Sequence, residues 1–211
     1  MTMANHETLI QRLANDVPAV SRPLPVAMRA GVWAVLTVAL GFAATRLMPT
    51  ATTDWSSPGA YLFLANAGVS LFIGFLALAS AFNMSIPGRK THGFNWIAAI
   101  AALWLMINVG SILATPDPLG SLSDGRYCFR FVALAGAPMV AVALFALRRT
   151  GSLQPLRTLA AAGAAVGFLA FGLLAFCHPP EMSVIDFTMH LLAGLALGLV
   201  TMLAGRRLIA A

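Results

Sequence analysis

The chain has 211 residues, of which 59% are hydrophobic and 9% charged, and its mean hydropathy is +0.84. An ordinary soluble domain carries about 25% charged residues, so this composition excludes a soluble fold and marks an integral membrane protein. The net charge of +6 would suggest a nucleic-acid binder in a soluble protein; here the basic residues are distributed as membrane topology distributes them, and no direct contact with nucleic acid is expected.

Residues 1–29 read as a cytoplasmic amphipathic segment. In ANHETLIQRLANDVPAV, Asn5 fits an N-cap and Glu7 suits the positive end of a helix dipole. Leu9, Ile10, Leu13 and Val17 recur at helical spacing on one face, opposite Arg12 and Asp16, and Val17-Pro18 ends the run. Such a helix either lies on the inner leaflet or docks in the groove of a cytoplasmic protein. Glu7, Asp16 and the lack of a small-residue cleavage site after the first apolar run argue against a removable signal peptide.

Six segments then meet the length of roughly 20 apolar residues that a spanning helix needs: about 30–48, 60–82, 94–115, 130–147, 158–177 and 186–205. No run alternates with period two, which excludes a β-barrel. The expected fold is an all-α bundle of six transmembrane helices over residues 30–205, with 206–211 as a short cytoplasmic tail. Arg12, Arg22, Arg29, Arg89, Lys90, Arg148, Arg149, Arg157, Arg206 and Arg207 fall on one side of this topology. The other side has Arg46, Arg126 and Arg130 among basic residues, and it holds Asp54, Asp117, Asp124, Glu181 and Asp186. The excess of basic residues places both termini in the cytoplasm, and connections one, three and five outside.

Polar chemistry concentrates at the outer ends of the last three spans. Cys128 precedes the fourth and Cys177 ends the fifth, each nineteen residues from the cytoplasmic turn, so both thiols stand about 28 Å above it. Level thiols on adjacent helices can form a disulfide in an oxidising space. They can also bind a soft metal as thiolates, with His178 or His190 as further ligands. Two unrelated interfacial cysteines are the plain alternative. His178-Pro179-Pro180 doubles as a helix stop. Asp186 and His190, four residues apart, share a helix face on which the carboxylate could hold the imidazole. Gly163 with Gly167 and Gly194 with Gly198 form GxxxG pairs that favour close packing inside the bundle. Pro138 predicts a kink in the fourth span. The four tryptophans read as packing or interfacial aromatics.

The order and spacing of several motifs resemble the NrsF-type membrane anti-sigma factors. These are LIQRLANDVPAV followed by RPLP, six short spans, IPGR after the second span, a cysteine before the fourth, and a cysteine beside a histidine after the fifth. The resemblance runs over essentially the whole chain. It implies a multi-pass protein of the bacterial inner membrane that holds an extracytoplasmic-function sigma factor inactive, with the N-terminal segment, Leu9, Ile10, Leu13 and Val17, taking part. It further implies that Cys128 and Cys177 are needed for release on oxidant or heavy-metal stress. The family places the histidine before the second cysteine; here it follows, as Cys177-His178, so the resemblance carries the thiols and not the imidazole.

Two rivals start from other chemistry. A quinone-linked thiol oxidoreductase relays electrons through two cysteine pairs, and this chain has two cysteines in all. A small transporter would want an inverted repeat or a mid-membrane polar site. No P-loop, GxGxxG or HExxH motif occurs. A regulator rather than an enzyme, with no cofactor, is therefore the expectation.

Overall fold

A computed structural model describes residues 3–16, 24–48, 55–56, 59–86, 88–89, 94–150, 152–176 and 181–209. Its regular elements are all helical: α1 (Met3–Asp16), α2 (Val26–Thr45), α3 (Ala60–Met84), α4 (Phe94–Ala114), α5 (Leu122–Arg148), α6 (Pro155–Leu173, followed by a 3₁₀ turn at Leu174–Phe176) and α7 (Val184–Ile209). The helices α2 to α7 are each long and apolar enough to cross a membrane. The expected bundle is therefore present, with shifted ends. The fifth helix of the chain, α5, begins eight residues before the apolar run at 130, because Leu122 to Phe129 are helical although polar in part. Pro138 lies inside α5, which continues uninterrupted past it.

The centre of the bundle is α6, whose Ala162, Ala165, Val166, Leu169 and Ala170 are fully enclosed. It packs against α3 on one side and α7 on the other, while α5 lies along α7 and α2. Small residues make these approaches possible where no water is available to drive helices together. A Cβ on Gly163 would come within 2.7 Å of Gly198 Cα, so the paired glycines of α6 and α7 face each other inside the bundle, as expected from their spacing. The helix α4 lies on the periphery, packed along α3.

Backbone polar groups between helices are met by stitches at both ends of the bundle. At one end Ser152 N donates to Ile209 O at 3.0 Å, and Ser152 Oγ donates to Met84 O at 3.2 Å. The same hydroxyl meets Thr158 Oγ1 at 2.9 Å, so one serine ties together the ends of α3, α6 and α7. At the opposite end Val184 N donates to Pro118 O at 2.8 Å and Ile185 N to Leu119 O at 3.3 Å. The first turn of α7, whose N–H groups have no partner inside the helix, is thus satisfied by the α4–α5 connection. Thr115 Oγ1 adds a bond to Met182 O at 3.2 Å. Gly120, at φ +72°, lets the connection pass Ser183 where any Cβ would collide with its hydroxyl.

Candidate functional site

The N-terminal segment folds as expected in kind and differs in detail. The helix α1 starts at Met3, so Asn5 and Glu7 lie inside it and Asn5 is not its N-cap. Leu9, Ile10 and Leu13 are 55%, 63% and 59% exposed, and α1 has no substantial packing against the bundle. Val17 lies outside the described residues.

At the end of the bundle where α5 and α7 begin, Cys128 is 2% exposed. It sits six residues into α5 and points at α7, where its thiol donates to Asp186 Oδ1 at 3.7 Å. Cys177 and His178 lie outside the described residues, as does any pairing between the two cysteines. Among the described residues no group of three or more His, Cys, Asp or Glu side chains gathers as a metal site.

Asp186 is held by two neighbours. Its carboxylate takes hydrogen bonds from Cys128 and from Ser183. Ser183 Oγ accepts from Asp186 N at 3.1 Å, and Asp186 Oδ2 accepts from Ser183 N at 3.3 Å and from the Ser183 hydroxyl at 2.7 Å. This reciprocal arrangement is a capping box with aspartate in the third helical position. Because the cap fixes the carboxylate at the start of α7, it is turned away from the next turn of its own helix and toward α5. The motif Ser183-Val184-Ile185-Asp186 carried that signal in the sequence.

A second polar cluster went unforeseen. Asn66 of α3 and Asn108 of α4 exchange two amide bonds, Asn66 Nδ2 to Asn108 Oδ1 at 2.9 Å and Asn108 Nδ2 to Asn66 Oδ1 at 3.2 Å. One turn away Trp104 Nε1 donates to Ser70 Oγ at 2.6 Å. Trp104 stacks on Phe171 at 5.7 Å and meets Phe168 and Phe187 edgewise or tilted, which wedges α4 against α6 and α7. Asn66, Asn108, Trp104 and the buried His190 line a cavity of about 20 Å³, room for one water molecule and not for a solute. Asn66, Asn108, Cys128 and His190 each lie six residues in from a helix end at Ala60, Ala114, Leu122 and Val184. Asn66 and Asn108, which bond each other, thus form a polar layer about 9 Å deep along α3 and α4. Replacing Asn108 with Leu would leave Asn66 without its amide partner and should lower the stability of the reconstituted protein by about 1–2 kcal/mol. Unfolding titration in mild denaturing detergent measures this, and an unchanged midpoint would deny the amide pair its part in holding α4.

A family model described as "NrsF: Negative regulator of sigma F" matches residues 13–210. The chain belongs to the NrsF family. It is accordingly a membrane-embedded negative regulator of a sigma factor, and a sigma factor is its partner. The match covers all six NrsF spans and begins within α1 at Leu13, four residues beyond Leu9. No curated protein and no solved structure is matched by the chain. Within this NrsF bundle Cys128 is buried against Asp186 at the start of α7.

Proposed function

We propose that this protein is an anti-sigma factor of the bacterial inner membrane that holds an extracytoplasmic-function sigma factor through the apolar face of α1. It is a regulator and not an enzyme, with both termini cytoplasmic. The observation that carries this reading is the pairing of a whole-bundle NrsF match with an α1 whose Leu9, Ile10 and Leu13 are more than half exposed among the described residues. An exposed leucine-rich stripe at i, i+1 and i+4 is the form in which a helix enters a partner's groove.

Release follows from a change at Cys128 and Cys177. Cys128 joins α5 to α7 through Asp186, and those two helices pack together along the bundle to their far ends at Arg148 and Ile209. Oxidising or metallating the thiol removes its proton, and with it the bond to Asp186, so α5 and α7 shift against each other. A differential of about 1–3 kcal/mol between the two arrangements changes sigma affinity about 5- to 150-fold. A thiolate prefers soft ions such as cadmium to magnesium, which gives the response its selectivity.

The test is induction of a sigma-dependent reporter by cadmium or chromate. Cys128→Ser and Cys177→Ser should each reduce induction to the uninduced level while membrane abundance stays constant. Full induction in both variants would remove the thiols from the mechanism.

A further inference from the structure

At the end of the bundle where α2 begins and α3 ends, two arginines flank the Phe82–Asn83 corner. The Arg29 guanidinium carbon lies 4.6 Å above the centre of the Phe82 ring, and Arg29 Nη1 is buried with no hydrogen-bond acceptor. Arg89 Nη1 donates to Asn83 Oδ1 at 3.2 Å, on the residue next to Phe82. Asp117, Glu181 and Asp186 lie at the opposite end of the bundle, Glu7 and Asp16 belong to α1, and among the described residues Arg29 forms no ion pair with any of them.

A guanidinium presents five donors in a planar fork suited to phosphate. The ring beneath Arg29 satisfies one face of its charge and leaves its in-plane donors wanting an anion, since a cation withdrawn from water without a partner is costly. The surroundings indicate where the anion comes from. Leu24, Met28, Val32 and Val35 run exposed from Arg29 along the outward side of α2, an apolar track that continues from the arginine pair along the membrane-crossing helix. A phosphate with acyl chains attached fits both parts; a soluble anion or an acidic side chain of a partner uses only the first.

We propose that Arg29 and Arg89 form a binding site for the phosphate of an anionic phospholipid, whose chains lie along α2. The lipid supplies a counter-charge to Arg29, which has no acceptor for Nη1 among the described residues, and holds the start of α2 against the end of α3. The site is independent of the thiols and of α1.

The test uses the full chain in lipid nanodiscs and in detergent, with Arg29→Met, which keeps contact with Phe82, and Arg89→Gln. Native mass spectrometry should find phosphatidylglycerol retained on the parent at least fivefold more than on the double variant. Adding phosphatidylglycerol to a phosphatidylcholine nanodisc should raise the melting temperature of the parent and leave that of the double variant unmoved. Equal lipid retention by parent and double variant overturns the proposal. Equal stabilisation by inorganic phosphate overturns the assignment to a lipid. Sigma-factor binding lost in the double variant, with lipid retention unchanged, gives the arginine pair to the protein partner and likewise overturns it.

Discussion

A chain carrying Asp in place of Leu9, Ile10 and Leu13 should lose its hold on the sigma factor and switch the sigma-dependent promoters on without any stress. Burying one leucine or isoleucine side chain stabilises a complex by about 1.5–3 kcal/mol. Losing three such contacts, part of which are solvated in the complex, amounts to about 4–6 kcal/mol, or roughly 700- to 20,000-fold in affinity. The bundle should be indifferent to the change, because these side chains are more than half exposed and α1 is not packed on it. Titration of the sigma factor onto nanodisc-embedded protein measures the effect directly. An affinity within threefold of the parent, at equal membrane abundance, would place the docking surface elsewhere.

The second large effect belongs to the crossing of α6 and α7. A β-carbon on Gly163 would stand 2.7 Å from Gly198 Cα and 3.2 Å from Gly198 O, against backbone that cannot swing aside. Gly163→Val should therefore push the two helices apart and destabilise the bundle by about 3 kcal/mol, the upper part of the range for overpacking. Gly198→Ala is the matched control, since a β-carbon there meets no atom within 4 Å. Thermal melting of the purified proteins should separate the two by many degrees. If the valine variant melts with the parent, the close approach of α6 and α7 is wrong.

The membrane helices were legible because six long apolar runs admit few other folds. Their ends were less so. Hydropathy sees Ser123 to Arg126 as a break, whereas the chain is already helical there, and the shift moves Cys128 from a helix start to two turns inside one. Partner choice was less legible still. Chain order pairs α5 with α6 through the two cysteines; the Cys128 thiol also reaches α7 through Asp186, and Cys177 lies outside the described residues. Helix rotation decides which neighbour a thiol faces, and apolar runs this uniform hold little periodicity from which to read rotation.

The polar layer was missed for a related reason. Asn66 and Asn108 are single amides in apolar runs 42 residues apart, and nothing local announces that each is the other's partner. In a membrane a lone asparagine is itself a request for a second one. Asp186 has a local role that its spacing from His190 does not reveal. The N–H groups at the start of α7 engage the carboxylate and the Ser183 hydroxyl in a reciprocal cap. On α1 the spacing foresaw the helix, while all side chains from His6 to Asp16 are exposed, so burial does not single out the face with Leu9, Ile10 and Leu13.

The bonds from Pro118 and Leu119 to the first turn of α7 bear on how the protein can be handled. Short connections between transmembrane helices are the usual places to splice an epitope or a topology reporter, on the assumption that they are passive tethers. Here the stretch from Thr115 to Gly120 is a structural cap for a helix nearly seventy residues further along the sequence. A cassette inserted there would uncap α7 beside the Cys128–Asp186 contact, and a fusion made to report sidedness would be reporting on a damaged molecule.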